Sequence, residues 1–225
     1  GSGKTTTLYT ALSNLADGKR KILTIEDPIE YRISGVSQSQ ANPAIGLTFA
    51  AALRSFLRHD PDVMMVGEIR DLETAQIAIQ AALTGHLVLS TLHTNDAPSA
   101  IVRLLDMGVD DFLLASTLIG VLGQRLVRTL CSECKTPAAG ALGECQPVGC
   151  EACDHIGFKG RNAIGEIIEV TDATRSRIQR GVGADDLVKA FRSEGYETLY
   201  ENGMSKVAEG LATRDDILQA SQSYA

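Results

Sequence analysis

Three short, almost wholly apolar runs punctuate the first hundred residues, and each stops at a cluster of polar side chains. Residues 21–27 end on Glu26 and Asp27 ahead of Pro28, Val63-Met64-Met65-Val66 end at Gly67-Glu68, and residues 87–92 end at His93-Thr94-Asn95-Asp96. Short apolar runs without alternation mark strands covered on both faces. Between them the spacing changes to that of helices. A helix is expected from residue 6 to residue 12. Thr48 predicts a cap for another, carrying Phe49, Ala52, Leu53, Phe56 and Leu57 and stopped near His59 by Asp60-Pro61. Asp71 opens a third, with Ala75, Ala78, Ile79 and Ala82 on one face. Strands alternating with helices imply a parallel α/β sheet, whose ligands sit beyond the carboxyl ends of the strands. All three polar clusters fall there.

The pattern elsewhere is weaker. Residues 33–47 show no period and are read as a long surface loop. Helices are expected over 97–106 and 110–121, ahead of the basic run Gln124-Arg125-Leu126-Val127-Arg128. Residues 131–160 are rich in Cys, Gly and Pro, too poor in apolar side chains to build a core of their own. A strand-like run over 164–170 then precedes amphipathic helices near 184–194, 198–209 and 213–221. The chain therefore divides into an α/β core over 1–130, a cysteine-rich element over 131–160 and a mainly helical end-domain over 161–225.

Length and charge narrow the classes. A chain of 225 residues accommodates one large core with a small appendage. Its net charge of −7, with no basic block, argues against strong nonspecific binding to nucleic acid. No apolar run approaches the ~18 residues that cross a bilayer, and no signal peptide opens the chain. All five cysteines lie between Cys131 and Cys153, in a chain otherwise lacking secretory features. Metal ligation in the cytosol suits them better than a disulfide framework. Cys131-x2-Cys134-x15-Cys150-x2-Cys153 is the spacing of a four-cysteine zinc site, which would be closed and structural. Cys145 and His155 are weaker candidate ligands.

Gly1-Ser2-Gly3-Lys4-Thr5-Thr6 has the form of the back half of a phosphate-binding loop, G-x-x-x-x-G-K-[ST]. The chain reads as beginning inside that motif, with a core strand expected to lead into it. Glycines let successive backbone N–H groups turn inward around phosphate oxygens. Lys4 supplies a point charge to the β/γ-phosphates, and the Thr5 hydroxyl supplies a ligand for Mg²⁺. ATP hydrolysis further needs a group to orient water. Glu68 and Glu26, each at a strand end, are the candidate acids, and Asp27 and Glu30 stand beside the second. His93, at the carboxyl end of its strand, is the candidate γ-phosphate sensor. His86, seven residues earlier, falls at the opposite end and on the opposite face. Arg54 and Arg58, four apart, share a helical face toward phosphates or a neighbouring subunit.

These blocks together resemble the type II/type IV secretion ATPase family. Residues 1–9, 24–30, 60–71 and 84–96 correspond to its Walker A, Asp-box, Walker B and His-box motifs, and Leu122-Gly123-Gln124-Arg125-Leu126-Val127-Arg128-Thr129-Leu130-Cys131 is closest to the assembly ATPases of type II secretion. The resemblance implies a RecA-like P-loop NTPase core working as a cytoplasmic homo-hexamer, peripheral to the inner membrane through partner platform proteins. ATP hydrolysis there drives pseudopilus assembly and protein export. It implies Gly1, Ser2, Gly3, Lys4, Thr5 and Thr6 as nucleotide contacts, and Glu68 and Glu26 as the acids handling water and Mg²⁺, without choosing the base between them. Arg54, Arg58 and Arg70 are implied in nucleotide contact or subunit coupling, and Arg161 in the nucleotide interface. Further arginines would come from an N-terminal domain. A pilus-extension or DNA-uptake motor of the same family is the alternative within enzymes. A non-hydrolysing, zinc-stapled nucleotide-binding adaptor is the alternative outside them, and Lys4, Glu26, Glu68 and His93 weigh against it.

Overall fold

The computed structural model describes residues 1–138, 143–181 and 183–221. Residues 139–142 of the expected zinc element, and 182 and 222–225 of the expected end-domain, lie outside the described residues. The first half runs α1 (Lys4–Leu15), β1 (Ile22–Glu26), β2 (Val36–Gln40), α2 (Phe49–Phe56), β3 (Val63–Val66), α3 (Leu72–Leu83), β4 (Leu87–Ser90), α4 (Ala97–Asp106) and α5 (Asp111–Thr117). The four strands form one parallel sheet in the order β2-β1-β3-β4.

Strand parity sorts the core into two layers. Ile22, Val63 and Met65 meet Tyr9 and Leu12 of α1 on one face. On the other, Leu23, Ile25, Met64 and Val66 meet Leu53 of α2 and Ala78 and Ala81 of α3. Ile25 and Met64 have no exposed surface, and burial of each stabilises the fold by about 1.5–3 kcal/mol. The helices start where short polar side chains accept free N–H groups: Thr48 from Ala51, Asp71 from Thr74, Asp96 from Ser99 and Asp110 from Leu113.

The second half is built on a two-stranded antiparallel ladder, β5 (Gly120–Leu130) with β8 (Phe158–Glu169). Between them lies a short pair, β6 (Thr136–Pro137) with β7 (Cys145–Gln146). After the ladder come α6 (Asp172–Gln179), α7 (Ala184–Ser193), α8 (Leu199–Ala208) and α9 (Arg214–Ser221). Val127 and Ile164 of the ladder pack under Leu199, Val207 and Ile217. Ile168 joins a cluster with Ile101, Leu114, Ile178, Leu187 and Phe191, which ties α4 and α5 to α6 and α7. The ladder thus connects residues on either side of the expected 130/131 and 160/161 boundaries.

Three expectations are corrected. The loop over 33–47 contains β2, a parallel partner of β1. Its sequence, Val-Ser-Gln-Ser-Gln, lacks an apolar period because it is an edge strand with little to bury. The helix expected over 110–121 stops at Thr117; Leu118 is already extended and Gly120 begins β5. The strand over 164–170 is twelve residues long and starts at Phe158, its length set by β5 opposite. A further helix, α6, was not expected.

Candidate functional site

Gly3 adopts a left-handed conformation, φ 84° and ψ 8°, and its carbonyl accepts the Thr7 amide at 3.1 Å to start α1. The first turn of α1 carries no acidic side chain, so the positive end of its dipole is offered to an external anion. Gln124 of β5 reaches this loop: its Nε2 donates to Ser2 O at 3.0 Å and its Oε1 accepts from Thr7 Oγ1 at 2.7 Å.

Glu68 and His93 meet because the sheet register brings their strand ends together. Val66 of β3 lies beside Ser90 of β4, and two bonds continue the match beyond it: Thr91 Oγ1 to Gly67 O at 2.7 Å, and Ile69 N to Thr91 O at 3.0 Å. His93 Nε2 then stands 3.1 Å from Glu68 Oε2, and the other carboxylate oxygen pairs with Arg70. The Arg70 hydrogen bond, opposed by burial and aided by the Arg70 and His93 charges, holds Glu68 below the usual carboxylate range. Glu68 is 12% exposed, against 71% for His93 and 64% for Arg70, so the acid sits at the floor of the cluster with two more exposed side chains above it.

Glu26 is in a different state. Parity places it on the α1 face of β1 with Ile22 and Thr24, and it is buried. Its Oε1 accepts from Thr24 Oγ1 at 2.5 Å and Gln38 Nε2 at 3.1 Å, and its Oε2 accepts from the Tyr9 hydroxyl. Burial and that bond to Glu26 push Tyr9 up to about 12. Gly67 lies against Glu26: a Cβ there would stand 3.5 Å from the Glu26 Cα.

The arginines disperse. Arg54 pairs with Glu73 of α3 at 2.6 Å, on the surface. Arg58 is exposed and makes no side-chain hydrogen bond among the described residues, and Arg161 is exposed in β8. His86 faces the end of α3, with Nδ1 2.9 Å from Ala81 O and 3.0 Å from Thr84 Oγ1, which is a structural placement.

A 420 Å³ cavity opens between β4, an edge of the sheet, and β5. Ser2, Lys4, Ser90, Thr91 and Gln124 supply polar groups to its lining; Leu8, Leu89, Leu118 and Val121 are among the many apolar side chains there.

The four cysteines converge at the far end of the ladder. Their Sγ atoms all lie within 4.8 Å of one another. Cys131–Cys150 are 4.0 Å apart, and Cys134–Cys153 and Cys150–Cys153 are 3.8 Å apart. A tetrahedron with Zn–S bonds of about 2.3 Å has edges of about 3.8 Å, so the donor set fits Zn²⁺. Backbone N–H groups point at the sulfurs: Gly149 at Cys134 (3.3 Å), and Cys150 (3.3 Å) and Gly157 (3.2 Å) at Cys153. Burial raises the Cys153 thiol, but the donors at Cys153 outweigh it and bring it down to about 7, while burial pushes the neighbouring Cys150 thiol up to about 11. Gly157 has to be glycine: its φ is 78°, and a Cβ would stand 2.5 Å from the Pro147 Cβ. Neither Cys145 nor His155 belongs to the cluster among the described residues.

A loop at a helix start, strand-end acids and a cysteine cluster in this order match one family model, Type II/IV secretion system protein, over residues 1–219. The chain belongs to this family. It is 52% identical over 222 residues to the type II secretion system protein HxcR of Pseudomonas aeruginosa, covering 99% of this chain and 47% of that protein. With the type II secretion system ATPase E of Vibrio cholerae the identity is 46% over 236 residues, with the same coverage. The chain thus spans about half the length of these relatives. Its fold is similar to that of the pilus retraction motor PilT solved with bound ADP, with TM-score 0.74 and 31% identity, covering 100% of this chain and 59% of that one. The RecA-like α/β core is therefore the fold of this Type II/IV secretion system protein. The four blocks 1–9, 24–30, 60–71 and 84–96 lie in α1, β1, β3 and β4 and the turns that flank them.

The sequence did not single out Gln124 or Tyr9 as site residues. Gln124 stood as part of a basic run and of the block 122–131 that carries the family resemblance, without a role of its own, and its partners are 117 and 122 residues away. Its position as the polar residue between Leu122 and Leu126 on one face of a strand is a signal that becomes readable once the strand is known.

Proposed function

We propose that this secretion-family protein hydrolyses ATP as the motor of a type II secretion system, working as a cytoplasmic ring of six held at the inner membrane by platform proteins. Pseudopilus assembly and export are the work it drives. The observation that carries this reading is the Glu68–His93–Arg70 cluster at the same carboxyl end of the sheet as the strand-end acid Glu26, in a chain whose phosphate loop opens α1. Residues 1–6 receive the phosphates, with Lys4 on the β/γ oxygens. Mg²⁺ fits the Thr5 hydroxyl and would neutralise phosphate charge when bound. Glu68, kept ionised by Arg70, orients the attacking water, and His93 beside it reports the γ-phosphate. Glu26 is the second acid, held in reserve by Tyr9, Thr24 and Gln38. Arg54, exposed on α2, and Arg58, exposed in the turn just after it, are offered to a neighbouring subunit's nucleotide. Zn²⁺ on Cys131, Cys134, Cys150 and Cys153 staples the element that packing cannot hold.

Turnover in the full-length protein tests the assignment. Glu68→Gln should lower kcat by about 100-fold or more while ATP still binds, as expected for loss of the group that orients water. Lys4→Ala should abolish binding. Equal turnover in wild type and both variants would show that hydrolysis does not use this site.

A further inference from the structure

Gln124 touches the phosphate loop from a strand far along the chain, and no role above accounts for it. Its carboxamide uses both ends at once, donating to Ser2 O at 3.0 Å and accepting from Thr7 Oγ1 at 2.7 Å. Two bonds of opposite sense fix the amide's orientation, which a carboxylate or an alkyl chain cannot reproduce. Gly3 lies between the two anchor points, and a Cβ there would come within 2.6 Å of the Gln124 Nε2. The glycine therefore packs directly on the amide, and the same Cβ would stand 3.3 Å from Leu126 Cδ2. The opposite face of β5 holds the turn after His93. Arg125 donates to Asn95 O at 2.9 Å, and Glu166, which lies across from Gly123, accepts the Ala97 amide at 2.6 Å. One strand grips both halves of the site.

We propose that Gln124 is a positioning residue of the nucleotide site, holding residues 2–7 in the conformation that receives the phosphates while its neighbour Arg125 fixes the His93 turn. The proposal rests on the ATP reading given above. A glycine-rich loop samples many conformations when free. With the Gln124 bonds in place that freedom is already lost before nucleotide arrives; without them the ordering cost falls on binding. The bonds are the same in ground state and transition state, so their loss acts on KM rather than kcat.

The test uses the full-length protein, a fluorescent ATP analogue with Mg²⁺, and steady-state turnover, on wild type, Gln124→Ala, Gln124→Glu, Thr7→Val and the Thr7→Val/Gln124→Ala pair. Two ordinary hydrogen bonds correspond to about a tenfold weaker Kd in Gln124→Ala, with KM rising in parallel and kcat within about threefold of wild type. Gln124→Glu should bind more weakly still, since a carboxylate cannot donate to Ser2 O and repels phosphate. The double variant should be within about twofold of Gln124→Ala, because the Thr7 bond is already gone. Thermal unfolding of the nucleotide-free proteins separates binding from stability: a lowered midpoint with Kd unchanged overturns the proposal. So does a kcat loss at constant KM. Wild-type protein that binds no analogue overturns the ATP reading and this proposal together, whereas wild-type binding matched by Gln124→Ala overturns this proposal alone.

Discussion

Glu26 and Glu68 end neighbouring strands and stand in opposite environments. Glu68 faces the Arg70 guanidinium and the His93 imidazole at the protein's edge, whereas Glu26 is enclosed by three neutral donors. Tyr9 decides how firmly Glu26 is held, since its hydroxyl donates to the carboxylate and accepts the Glu30 amide at 3.2 Å. Tyr9→Phe leaves a buried acceptor short of a donor and should cost about 1–3 kcal/mol at pH 8, read from urea unfolding. The pH dependence has a definite sign. An unfolded chain loses the tyrosine proton near 10.0 while the native protein keeps it to about 12. The native state therefore binds more protons in that window, and stability from this group, complete below pH 10, falls as pH rises toward 12. Tyr9→Phe should lack this share of the alkaline decline; parallel curves for the two proteins between pH 9 and 11.5 would refute the assignment. Both acids were legible in the sequence because each closes an apolar run. The donors around Glu26 were not, because Gln38 lies in a strand that the sequence presents as loop and Tyr9 reads as an ordinary helix residue.

Elements show the same division. β1 and β3 are buried on both faces and announce themselves, while β5 carries Gly120, Gly123, Arg125 and Arg128 and looks like a loop with a basic run. Its glycine is explained by what crosses it. The Glu166 side chain passes over Gly123 to accept the first amide of α4 and, at 3.1 Å, the Leu199 amide that opens α8. Burial raises its pKa, and the two amides pull it back. A Cβ on residue 123 would stand 2.9 Å from the Glu166 Cγ and 3.2 Å from the Ala97 amide nitrogen. Gly123→Ala should therefore displace Glu166 and destabilise by about 1–3 kcal/mol, the range for stranding buried polar groups. In a Glu166→Ala background the same change should cost about 0.5 kcal/mol or less, a non-additivity visible in chemical denaturation midpoints. Additive costs would mean that Gly123 is needed for backbone reasons unrelated to Glu166. No periodicity reveals such a residue, since its reason is a side chain on another strand.

At the scale of the molecule, the β5–β8 ladder runs from the proposed nucleotide site at one end to the cysteine cluster at the other, and the two ends should respond separately. The cysteine element leans on the turn between α8 and α9: Leu130 N donates to Leu211 O at 2.8 Å, Lys135 Nζ to Gly210 O at 2.7 Å, and Arg214 pairs with Glu144 at 2.5 Å. Just inside it, Arg128 stacks 3.9 Å over the Phe158 ring and pairs with the nearly buried Asp216 at 2.7 Å. The element has little apolar core, so Zn²⁺ on its thiolates would contribute a large part of its folding free energy. Chelation should therefore melt residues 131–138 and 143–157 and loosen the α8–α9 turn, while the four-stranded sheet, with its own core over β1 and β3, persists. Hydrogen exchange by mass spectrometry reads this out by segment. Amides at 131–138, 143–157 and 206–216 should lose protection on zinc removal, those at 22–26 and 63–66 should keep it, and the affinity for an ATP analogue should change by about twofold or less, because Gln124 and Arg125 lie beyond the Arg128–Asp216 pair. Uniform loss of protection would mean that metal site and nucleotide core form one cooperative unit, with the ladder transmitting loss at one end to the other. Unchanged exchange at 131–138 and 143–157 would mean that the cysteines hold no structural metal.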